Sequence, residues 1–396
     1  MDLFKNITVL SLEQATVLPY LTYRLAQDGM RVIRLEHPVY GDPNRAIGEN
    51  ILGEERMNSY YLCINAGKEA LTLNLAEPEG QELFRKLISE LNVDIFTTNQ
   101  LPRNYTKLGI GYDSLKEIKD DIIWLGATGF GPESNEPAYD PILQARSGMM
   151  EMTGDPGGDP QAIGVPLPDM GTSEHCYGLL MKALYHRQIT GKGSCINMSM
   201  FESSVSWMTT AITLTTIQKK PITRTGNSHE FFCPVNVFKT KNGFVYIAVG
   251  NDRQWKSLVS LDMFKHLDKP GYEKNNGRIR DAETINHAIK EITPEVTSEE
   301  LIELFNSLTL PISKINKIPD VIADPLVQKR LLSAKDPKTG TDITLTVPPN
   351  MTAFLENSNR MLSFPPRFGE HNNEIYGKVL GYSDEDLEGL KERKVI

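Results

Sequence analysis

The apolar positions of this chain fall into short runs that alternate between strand-like and helix-like spacing. Residues 7–12 form an apolar run typical of a buried strand, and a helical pattern follows at about residues 19–28. Gly29 ends that pattern before a second strand-like run at residues 31–36. This order predicts a β-α-β unit, in which a crossover helix joins two parallel strands.

The same alternation continues along the next half of the chain. Further strand-like and helix-like runs lie at residues 70–75, 79–91, 93–97, 121–127, 170–187, 196–200 and 201–217. The runs at 170–187 and 201–217 are long and apolar, which predicts two packed helices. Alternating strands and helices favour an open sheet with helices on its faces, so the predicted fold class is α/β with a Rossmann-like pattern.

The first strand-to-helix turn argues against a dinucleotide cofactor. Residues 11–19 contain no glycine. A dinucleotide-binding turn needs glycines for its tight bend and for close approach of the backbone to the pyrophosphate. The sequence therefore gives no support for NAD or FAD binding.

Composition and charge narrow the class of partner. The chain has 396 residues, enough for about two or three domains. The net charge of −9 argues against nucleic acid or an anionic membrane as the main partner. A polyanionic small molecule in a local basic pocket stays possible. Composition changes at residues 219–227, which indicates a linker, and two later runs around Lys241-Asn242 predict a β-hairpin.

The cellular compartment is inferred from three sequence features. No run approaches about 18 apolar residues, and residues 1–6 lack the basic and apolar segments of a signal peptide. The cysteines are scattered without a Cys-x-x-Cys pair, at positions Cys63, Cys176, Cys195 and Cys233. We therefore expect reduced thiols in a cytoplasmic protein, with neither a disulfide framework nor a metal site.

Asp169 stands in the most informative setting of the chain. It follows Gly164-Val165-Pro166-Leu167-Pro168 and precedes the apolar run at 170–187. A helix N-terminus favours an ionised carboxylate, typically by a few tenths to about 1 kcal/mol. The local pattern alone favours a helix cap, which is the usual role of Asp at such positions. A catalytic carboxylate is the alternative.

Several widely spaced segments, taken with Asp169, resemble one family. They are Asn65-x-Gly67-Lys68, Gly109-Ile110-Gly111-Tyr112, Tyr139-Asp140-x-x-x-Gln144-Ala145, Arg187-x-x-Thr190-Gly191-Lys192-Gly193, Gly250-Asn251-Asp252-x-Gln254-Trp255 and Pro366-Arg367-x-Gly369-Glu370-His371. Each segment is weakly specific, but their shared order from residue 5 to residue 392 is highly specific. Together they resemble the family III CoA-transferases, a group that includes formyl-CoA:oxalate, carnitine and benzylsuccinate CoA-transferases and the α-methylacyl-CoA racemases.

The resemblance implies an architecture. Members form an interlocked homodimer of two ring-like subunits, with a large α/β domain built from both termini and a smaller α+β domain inserted between them. On this basis the large domain is expected at residues 1–220 and 329–396, and the small domain at residues 221–328. A heteromer with a related subunit is the alternative assembly.

The resemblance also implies an activity. Asp169 would attack the thioester of a donor acyl-CoA, and CoA would pass to a carboxylic acid through an aspartyl-acyl anhydride and an aspartyl-CoA thioester. Succinyl-CoA is the expected donor, CoA thioesters are substrates, and no permanently bound cofactor is expected. The carboxylate is expected to be ionised at neutral pH, since the ordinary pKa of Asp is about 3.9. Backbone N–H groups of Met170-Gly171 are candidate oxyanion donors.

By the same resemblance, a set of residues along the first half of the chain would contact CoA. They are Ala15, Thr16, His37, Asn65, Lys68, Asn99, Gln100, Arg103 and Lys107. Lys68 and Lys107 would face phosphates, which suits the several negative charges of CoA. Gln100 replaces an aromatic residue of the family, and Arg103 follows Leu101-Pro102 where Arg-Pro-Gly is usual, which shifts the basic contact to Arg103.

Two alternatives within the fold remain open. A racemase needs a base on each side of the α-carbon, and the family's racemases place a His where this chain has Tyr139 before Asp140. A tyrosine, with an ordinary pKa of about 10, is a poor base at neutral pH, so the substitution favours a transferase. A non-catalytic subunit of a heteromeric transferase is disfavoured because Asp169 is retained. The absence of a Gly-Gly-Gly run between residues 225 and 255 counts against oxalate as the acceptor.

Overall fold

The computed structural model describes residues 3–396 and contains a central sheet of parallel strands. Its strands are β1 (Thr8–Leu12), β2 (Arg31–Glu36), β3 (Lys68–Thr72), β4 (Ile95–Thr98), β5 (Ile123–Thr128) and β6 (Ser194–Ser199). They lie in the order β3-β2-β1-β4-β5-β6, and every neighbouring pair is parallel. The predicted α/β fold with a parallel central sheet is confirmed.

The helices follow the alternation that the sequence predicts in its first half. They are α1 (Val17–Gln27), α2 (Ser59–Leu62), α3 (Pro78–Glu90), α4 (Tyr105–Leu108), α5 (Tyr112–Lys116), α6 (Asp140–Arg146), α7 (Met149–Met152), α8 (Leu167–Thr190), α9 (Met200–Ser206), α10 (Thr209–Gln218), α11 (Asp252–Val259), α12 (Asn275–Arg280), α13 (Ala282–Ile292), α14 (Ser298–Ser307), α15 (Ile318–Ala323), α16 (Pro325–Gln328), α17 (Ala353–Asn357) and α18 (Asp384–Glu392). No helix within residues 3–396 is long and apolar enough to cross a membrane.

The chain divides into two compact units. The first takes residues 3–148, 163–210 and 326–396, and the second takes residues 149–162 and 211–325. The first unit thus contains residues from both ends of the described chain. That residues 221–328 form a separate small domain stays a prediction.

The central sheet of the first unit is buried between two apolar layers. One layer contains Val9 and Val32 together with side chains of α1 and α8. The opposite layer contains Leu10 and Ile33 together with side chains of α3 and α18. Neighbouring residues of one strand point to opposite faces, so a strand covered on both sides is apolar at nearly every position.

The C-terminal part of the first unit covers an edge of the central sheet. His371 N–H donates to the carbonyl oxygen of Ala70 at 3.1 Å, and Ala70 N–H donates to His371 Nδ1 at 3.1 Å. Thr72 N–H donates to Asn372 Oδ1 at 3.0 Å. These bonds satisfy the open side of β3, which would otherwise offer unpaired backbone groups to another chain. A separate sheet in this part contains β10 (Leu332–Lys335), β11 (Asp342–Leu345) and β12 (Met361–Leu362).

The second unit contains a small antiparallel sheet. Its strands are β7 (Val235–Thr240), β8 (Gly243–Ala248) and β9 (Ile312–Lys314), in the order β7-β8-β9. Lys241-Asn242 joins β7 to β8, and Thr240 lies opposite Gly243, which confirms the predicted hairpin. Asn251 caps α11 through its side chain, which accepts a hydrogen bond from Gln254 N–H at 2.9 Å.

The prediction of one long helix over residues 201–217 is wrong. The segment forms α9 and α10, with a break at Trp207 and Met208. Trp207 N–H donates to Ser204 O and Met208 N–H to Val205 O, so the backbone bonds there span three residues, not the four of an α-helix. No residue of α10 is buried, which differs from the packed helix that its apolar sequence predicts.

Candidate active site

A cleft that contains Asp169 lies at the carboxyl ends of strands β1, β4 and β5. This edge of an open parallel sheet is where α/β proteins bind ligands. The cleft, called the Asp169 cleft below, is lined by Gln14, Ala15, Thr16, Val17, Asn99, Leu101, Ala127, Thr128, Gly129, Glu136, Pro137, Ala138, Tyr139, Asp140, Asp169 and Met200. All of these residues belong to the first unit.

Asp169 is the third residue of α8 and does not cap it. The N-cap position is Pro166, and no side-chain bond caps this end of the helix. The side chain of Asp169 is partly buried, and its carboxylate makes no hydrogen bond within the described part of the chain. Its own backbone N–H donates to Asp140 Oδ2 at 3.1 Å. The capping interpretation of the local sequence pattern is therefore wrong, and the carboxylate is left available in the cleft.

The environment of Asp169 disfavours its charge. Burial raises the pKa of Asp169 to about 7, and the nearby negative charge of Asp140 acts in the same direction. Burial also raises the pKa of Asp140, against the effect of its hydrogen bonds from Asp169 N–H and Gln144. This environment does not fit the expectation of an Asp169 carboxylate with an ordinary pKa, because burial shifts its pKa toward neutral pH.

The expected oxyanion donors on Met170-Gly171 do not fit the observed helix start. Since α8 begins at Leu167, Met170 lies inside its first turn. Met170 N–H donates to Pro166 O at 2.9 Å and is already used within the helix. A developing oxyanion therefore has no free Met170 N–H to accept from.

Ala15 adopts a backbone conformation that is rare for a residue with a side chain. Its φ is +62°, in the left-handed region. Ala15 N–H donates to Asp42 Oδ1 at 3.1 Å, and Asn44 donates its amide to the carbonyl oxygen of Ala15. These two bonds hold the turn in place. Thr16 follows at the start of α1 and is buried. Its hydroxyl oxygen lies 3.3 Å from the hydroxyl oxygen of Tyr60.

A second cleft of the first unit contains three more of the expected CoA-binding residues. This His37 cleft is lined by Leu12, Glu13, Gln14, Leu35, Glu36, His37, Gly41, Leu73, Asn74, Leu75, Ala76, Gln100, Asn104, Lys107 and Leu108. His37 Nδ1 accepts from Val39 N–H at 3.1 Å, and burial lowers the pKa of His37. Lys107 is exposed, so its ammonium group is open to a ligand.

The two clefts meet at Gln14, which lines both of them. Asn99 lines the Asp169 cleft and fixes this position: its Nδ2 donates to Gln14 O at 2.8 Å, and its Oδ1 accepts from Gln14 N–H at 3.2 Å. Gln100 is the next residue and lines the His37 cleft. Arg103 is exposed and lines neither cleft, and its backbone N–H donates to Asn135 Oδ1 at 3.0 Å.

Asn65 and Lys68 lie outside both clefts. Both residues are buried, and the side chain of Lys68 has no exposed surface. Lys68 Nζ lies 3.0 Å from Glu13 Oε1, 2.8 Å from Pro19 O and 2.8 Å from Asn65 Oδ1, which uses all three of its donors. The expectation that these two side chains contact the phosphates of CoA does not fit this geometry.

Lys68 belongs instead to a buried network of charges beneath the Ala15 turn, here called the buried ion network. Its members are Glu13, Arg34, Glu36, Asp42, Arg45 and Lys68. Burial opposes the charge of Glu13, but the positive charges of Lys68 and Arg34 outweigh it and hold its pKa below the ordinary value. Sequence reasoning missed this network. The sequence signal for it is the pair Arg34 and Glu36, two charged residues on either side of Leu35 within a strand of the central sheet.

Solved structures support the fold. A CAIB/BAIF family protein from Brucella suis superposes with a TM-score of 0.82 at 27% identity, over 94% of this chain and 98% of that chain. The Rv3272 protein of M. tuberculosis superposes with a TM-score of 0.79 at 21% identity, over 94% of this chain and 98% of that chain. The second likeness concerns the fold alone.

Two relatives found by sequence similarity are both named CoA-transferases. This chain is 28% identical to human succinyl-CoA:glutarate CoA-transferase, over 99% of this chain and 89% of that protein. It is 30% identical to succinate–glutarate CoA-transferase of Agrobacterium fabrum, over 94% of this chain and 95% of that protein. The prediction of an enzyme of the CoA-transferase class is confirmed by these relatives. A model of CoA-transferase family III matches residues 4–372, so the chain belongs to that family.

Proposed function

We propose that this enzyme transfers CoA from succinyl-CoA to a carboxylic acid, with Asp169 as the nucleophile. The observation that carries the proposal is the Asp169 carboxylate itself, which is partly buried, free of hydrogen bonds from the described residues and open to a cleft at the carboxyl edge of the sheet. The names of the two relatives support succinyl-CoA as donor, and glutarate is the first acceptor to test.

The reaction proceeds by four exchanges at carbonyl groups. The Asp169 carboxylate attacks the thioester carbon of succinyl-CoA, which gives a mixed anhydride and releases CoA thiolate. The thiolate attacks the aspartyl carbonyl, which releases succinate and gives an aspartyl-CoA thioester. The acceptor carboxylate attacks that thioester and forms a new anhydride, again with release of CoA thiolate. The thiolate then attacks the acceptor's carbonyl, which gives the product thioester and restores the Asp169 carboxylate.

The two adjoining clefts suggest how CoA lies. Its thioester would reach the Asp169 cleft beside Ala15, Thr16 and Asn99, and its nucleotide would occupy the His37 cleft beside Gln100 and Lys107. Arg103 would act from outside the clefts. Asn65 and Lys68 would support the Ala15 turn through the buried ion network, without touching CoA.

Substitution of Lys107 tests this arrangement of CoA. Lys107→Ala should raise KM for succinyl-CoA and leave kcat nearly unchanged, because a contact to the nucleotide is made equally in the ground and transition states. Lys116→Ala, at an exposed lysine outside both clefts, is the matched control. Equal KM values for the two variants would contradict the placement of the nucleotide.

The α-methylacyl-CoA racemase alternative is not favoured. A racemase needs two bases, and among the described residues no histidine lines the Asp169 cleft. Tyr139 occupies the expected position of that histidine and is 75% exposed. Incubation of a chiral 2-methylacyl-CoA in deuterated water should give no deuterium at the α-carbon.

The test of the transferase proposal joins an exchange assay to capture of the intermediate. Purified enzyme with succinyl-CoA and glutarate should form glutaryl-CoA, and hydroxylamine added during turnover should convert Asp169 to a hydroxamate that mass spectrometry locates. Asp169→Asn should lose several orders of magnitude in kcat, as the loss of a nucleophile does, and the exposed Asp159→Asn should not. Full activity of Asp169→Asn, with reversion to Asp excluded by mass, would overturn the proposal.

We also propose that the subunits form an interlocked homodimer. Apolar surface supports an assembly: Ile217 on α10 is 71% exposed, and Tyr185 and Ile189 near the end of α8 are exposed as well. Exposed apolar surface of this kind is typical of an interface between subunits.

A further inference from the structure

The segment that carries Asp169 is fastened to α6 at both of its ends. At the start, Ile163 N–H donates to Gln144 Oε1 at 2.8 Å. At the end, Asp169 N–H donates to Asp140 Oδ2 at 3.1 Å. Between these points lie Pro166 and Pro168, whose rings fix their φ angles and make this stretch stiff. Both ends of the segment are therefore held by the same helix.

Gln144 joins the two fastening points. Its Nε2 donates to Asp140 Oδ1 at 2.7 Å, while its Oε1 accepts from Ile163 N–H. Gln144 is 2% exposed and Asp140 is 8% exposed, so both are shielded from solvent that could replace these bonds. Ile163 N–H can only donate, and the Asp140 carboxylate can only accept. The two neighbours therefore fix which end of the amide faces which partner.

We propose that Gln144 is a positioning residue for Asp169 and acts through Asp140. Its amide holds the Asp140 carboxylate in the orientation that receives Asp169 N–H, and it anchors the start of the stiff segment that ends at the nucleophile. This inference rests on the proposed role of Asp169 in CoA transfer. Gln144 has no part in bond making and lies outside the residues that line the Asp169 cleft.

The polarity of the arrangement allows a rescue experiment. In Gln144→Glu, a carboxylate faces the Asp140 carboxylate, so the bond between them is lost and two like charges meet. In Asp140→Asn, position 140 keeps one oxygen for two donors, Gln144 Nε2 and Asp169 N–H, so its amide donor faces one of them and that bond is lost. In the double variant, the amide introduced at position 140 donates to the carboxylate introduced at position 144, which still accepts from Ile163 N–H. The remaining oxygen at position 140 again accepts from Asp169 N–H, so the full set of bonds is restored with the charge moved.

The expected result is a loss in each single variant and recovery in the pair. Gln144→Glu and Asp140→Asn should each lower kcat by about 10- to 100-fold with little change in KM for succinyl-CoA, because a misplacement of about 1 Å at a nucleophile costs on the order of 100-fold. The double variant should recover most of that loss. The product of the two single effects is the result expected without coupling. Ile142→Ala, at an exposed position of the same helix, is the control.

A second measurement is independent of activity. Hydrogen exchange of peptides covering residues 163–170 should accelerate in both single variants and return to the wild-type rate in the double variant. Wild-type kcat in the single variants, or a double variant no better than the product of the singles, would overturn the inference. If Asp169→Asn is fully active, the transferase proposal fails, and the exchange data still report whether Gln144 fastens the segment.

Discussion

At the level of single residues, Asp169, as the proposed nucleophile, combines two requirements that oppose each other. A nucleophilic carboxylate must be ionised, yet its partial burial and the charge of Asp140 favour the protonated form. The same burial strips water from the carboxylate, which makes the ionised form more reactive toward a carbonyl carbon. Burial of this carboxylate therefore lowers the free energy of unfolding at the position where the proposed reaction needs a reactive carboxylate.

The raised pKa of Asp169 predicts a pH-dependent gain in stability for Asp169→Asn. The folded protein holds this proton up to about pH 7 and the unfolded chain only up to about pH 4, so ionisation weakens the fold as pH rises through that window. Each pKa unit corresponds to about 1.4 kcal/mol, which sets an upper limit of about 4 kcal/mol above pH 7. Urea unfolding of both proteins at pH 5 and pH 8 measures the effect, which should be larger at pH 8.

The exposed Asp159→Asn is the control for that comparison and should show no such trend. A gain from Asp169→Asn that is the same at both pH values would mean that packing of the amide, and not removal of the charge, is responsible.

The same pKa predicts the pH dependence of the reaction. In the proposed reaction only the ionised carboxylate attacks the thioester, so kcat/KM for succinyl-CoA should rise with pH and level off above a midpoint near 7. An ordinary aspartate would give a midpoint near 4. A profile that is flat from pH 5 to pH 9, measured at constant ionic strength, would show that Asp169 is already ionised in the free enzyme.

The buried ion pair of Lys68 and Glu13 leads to a prediction about stability. Removing one of the two charges should cost much more unfolding free energy than removing both. Lys68→Met leaves Glu13 buried without its ammonium partner and should cost about 3 to 5 kcal/mol of unfolding free energy. The double variant Glu13→Gln with Lys68→Met removes both charges and should cost clearly less. Urea unfolding measures both, and equal losses in the two variants would contradict the ion pair as the reason for burying Lys68.

At the level of elements, the junction between α8 and β6 depends on a close backbone contact. α8 ends at Thr190, its C-cap residue Gly191 has a φ of +69°, and Gly193 follows just before β6. A Cβ atom at Gly193 would collide with the backbone carbonyl oxygen of Ile122, so the turn can approach β5 only because this position has no side chain.

A pair of Gly→Ala variants tests that contact. Gly193→Ala should destabilise the protein, since backbone atoms on both sides must move. Gly178→Ala lies inside α8 with no atom within 4 Å of the added methyl group, and it should stabilise by about 0.5 to 1 kcal/mol through helix propensity. Thermal unfolding of both variants is the measurement. A Gly193→Ala protein as stable as the wild type would show that the turn has room for a methyl group.

The sequence predicts elements well where periodicity is decisive and less well where packing decides. The second strand, predicted at residues 31–36, is observed as Arg31–Glu36, because turn residues on both sides bound a short segment with Val32, Ile33 and Leu35. The single helix over residues 201–217 is wrong because the break at Trp207 leaves the apolar pattern unchanged. The periodicity of apolar residues does not show where backbone hydrogen bonds change from spanning four residues to spanning three.

The same contrast holds for the site. Ala15, Thr16 and Asn99 come together because the carboxyl ends of neighbouring parallel strands meet at one edge, which the strand order implies. Asp169 reaches the same edge from α8, where the hydroxyl of Ser173 donates to the carbonyl oxygen of Val17 on α1. The burial of Lys68 could not be predicted, since it depends on an ion pair with Glu13 that only the folded sheet brings within reach. The left-handed turn at Ala15 was missed for a similar reason, because its stabilising partner Asp42 lies 27 residues away.

At the level of the whole molecule, the apolar surface of the single chain is what motivates the proposed dimer. Trp207 is 50% exposed, and α10 buries none of its residues although most of them are apolar or threonine. Side chains of this kind are rarely left in water as a contiguous set. A second copy of the chain is the partner we propose, and the way in which the copies are joined decides how they separate.

An interlocked dimer predicts that subunits exchange only through unfolding. If the two chains are threaded through each other, neither can leave by simple dissociation, so dilution should not yield monomer and the unfolding midpoint should depend only weakly on protein concentration below the transition. Tagged and untagged protein mixed under native conditions should stay unmixed for days by native mass spectrometry. The same mixture should form hybrid dimers after unfolding and refolding together, which controls for the competence of the tagged chain. Hybrid dimers within minutes under native conditions would instead mean that the subunits meet at an ordinary reversible interface.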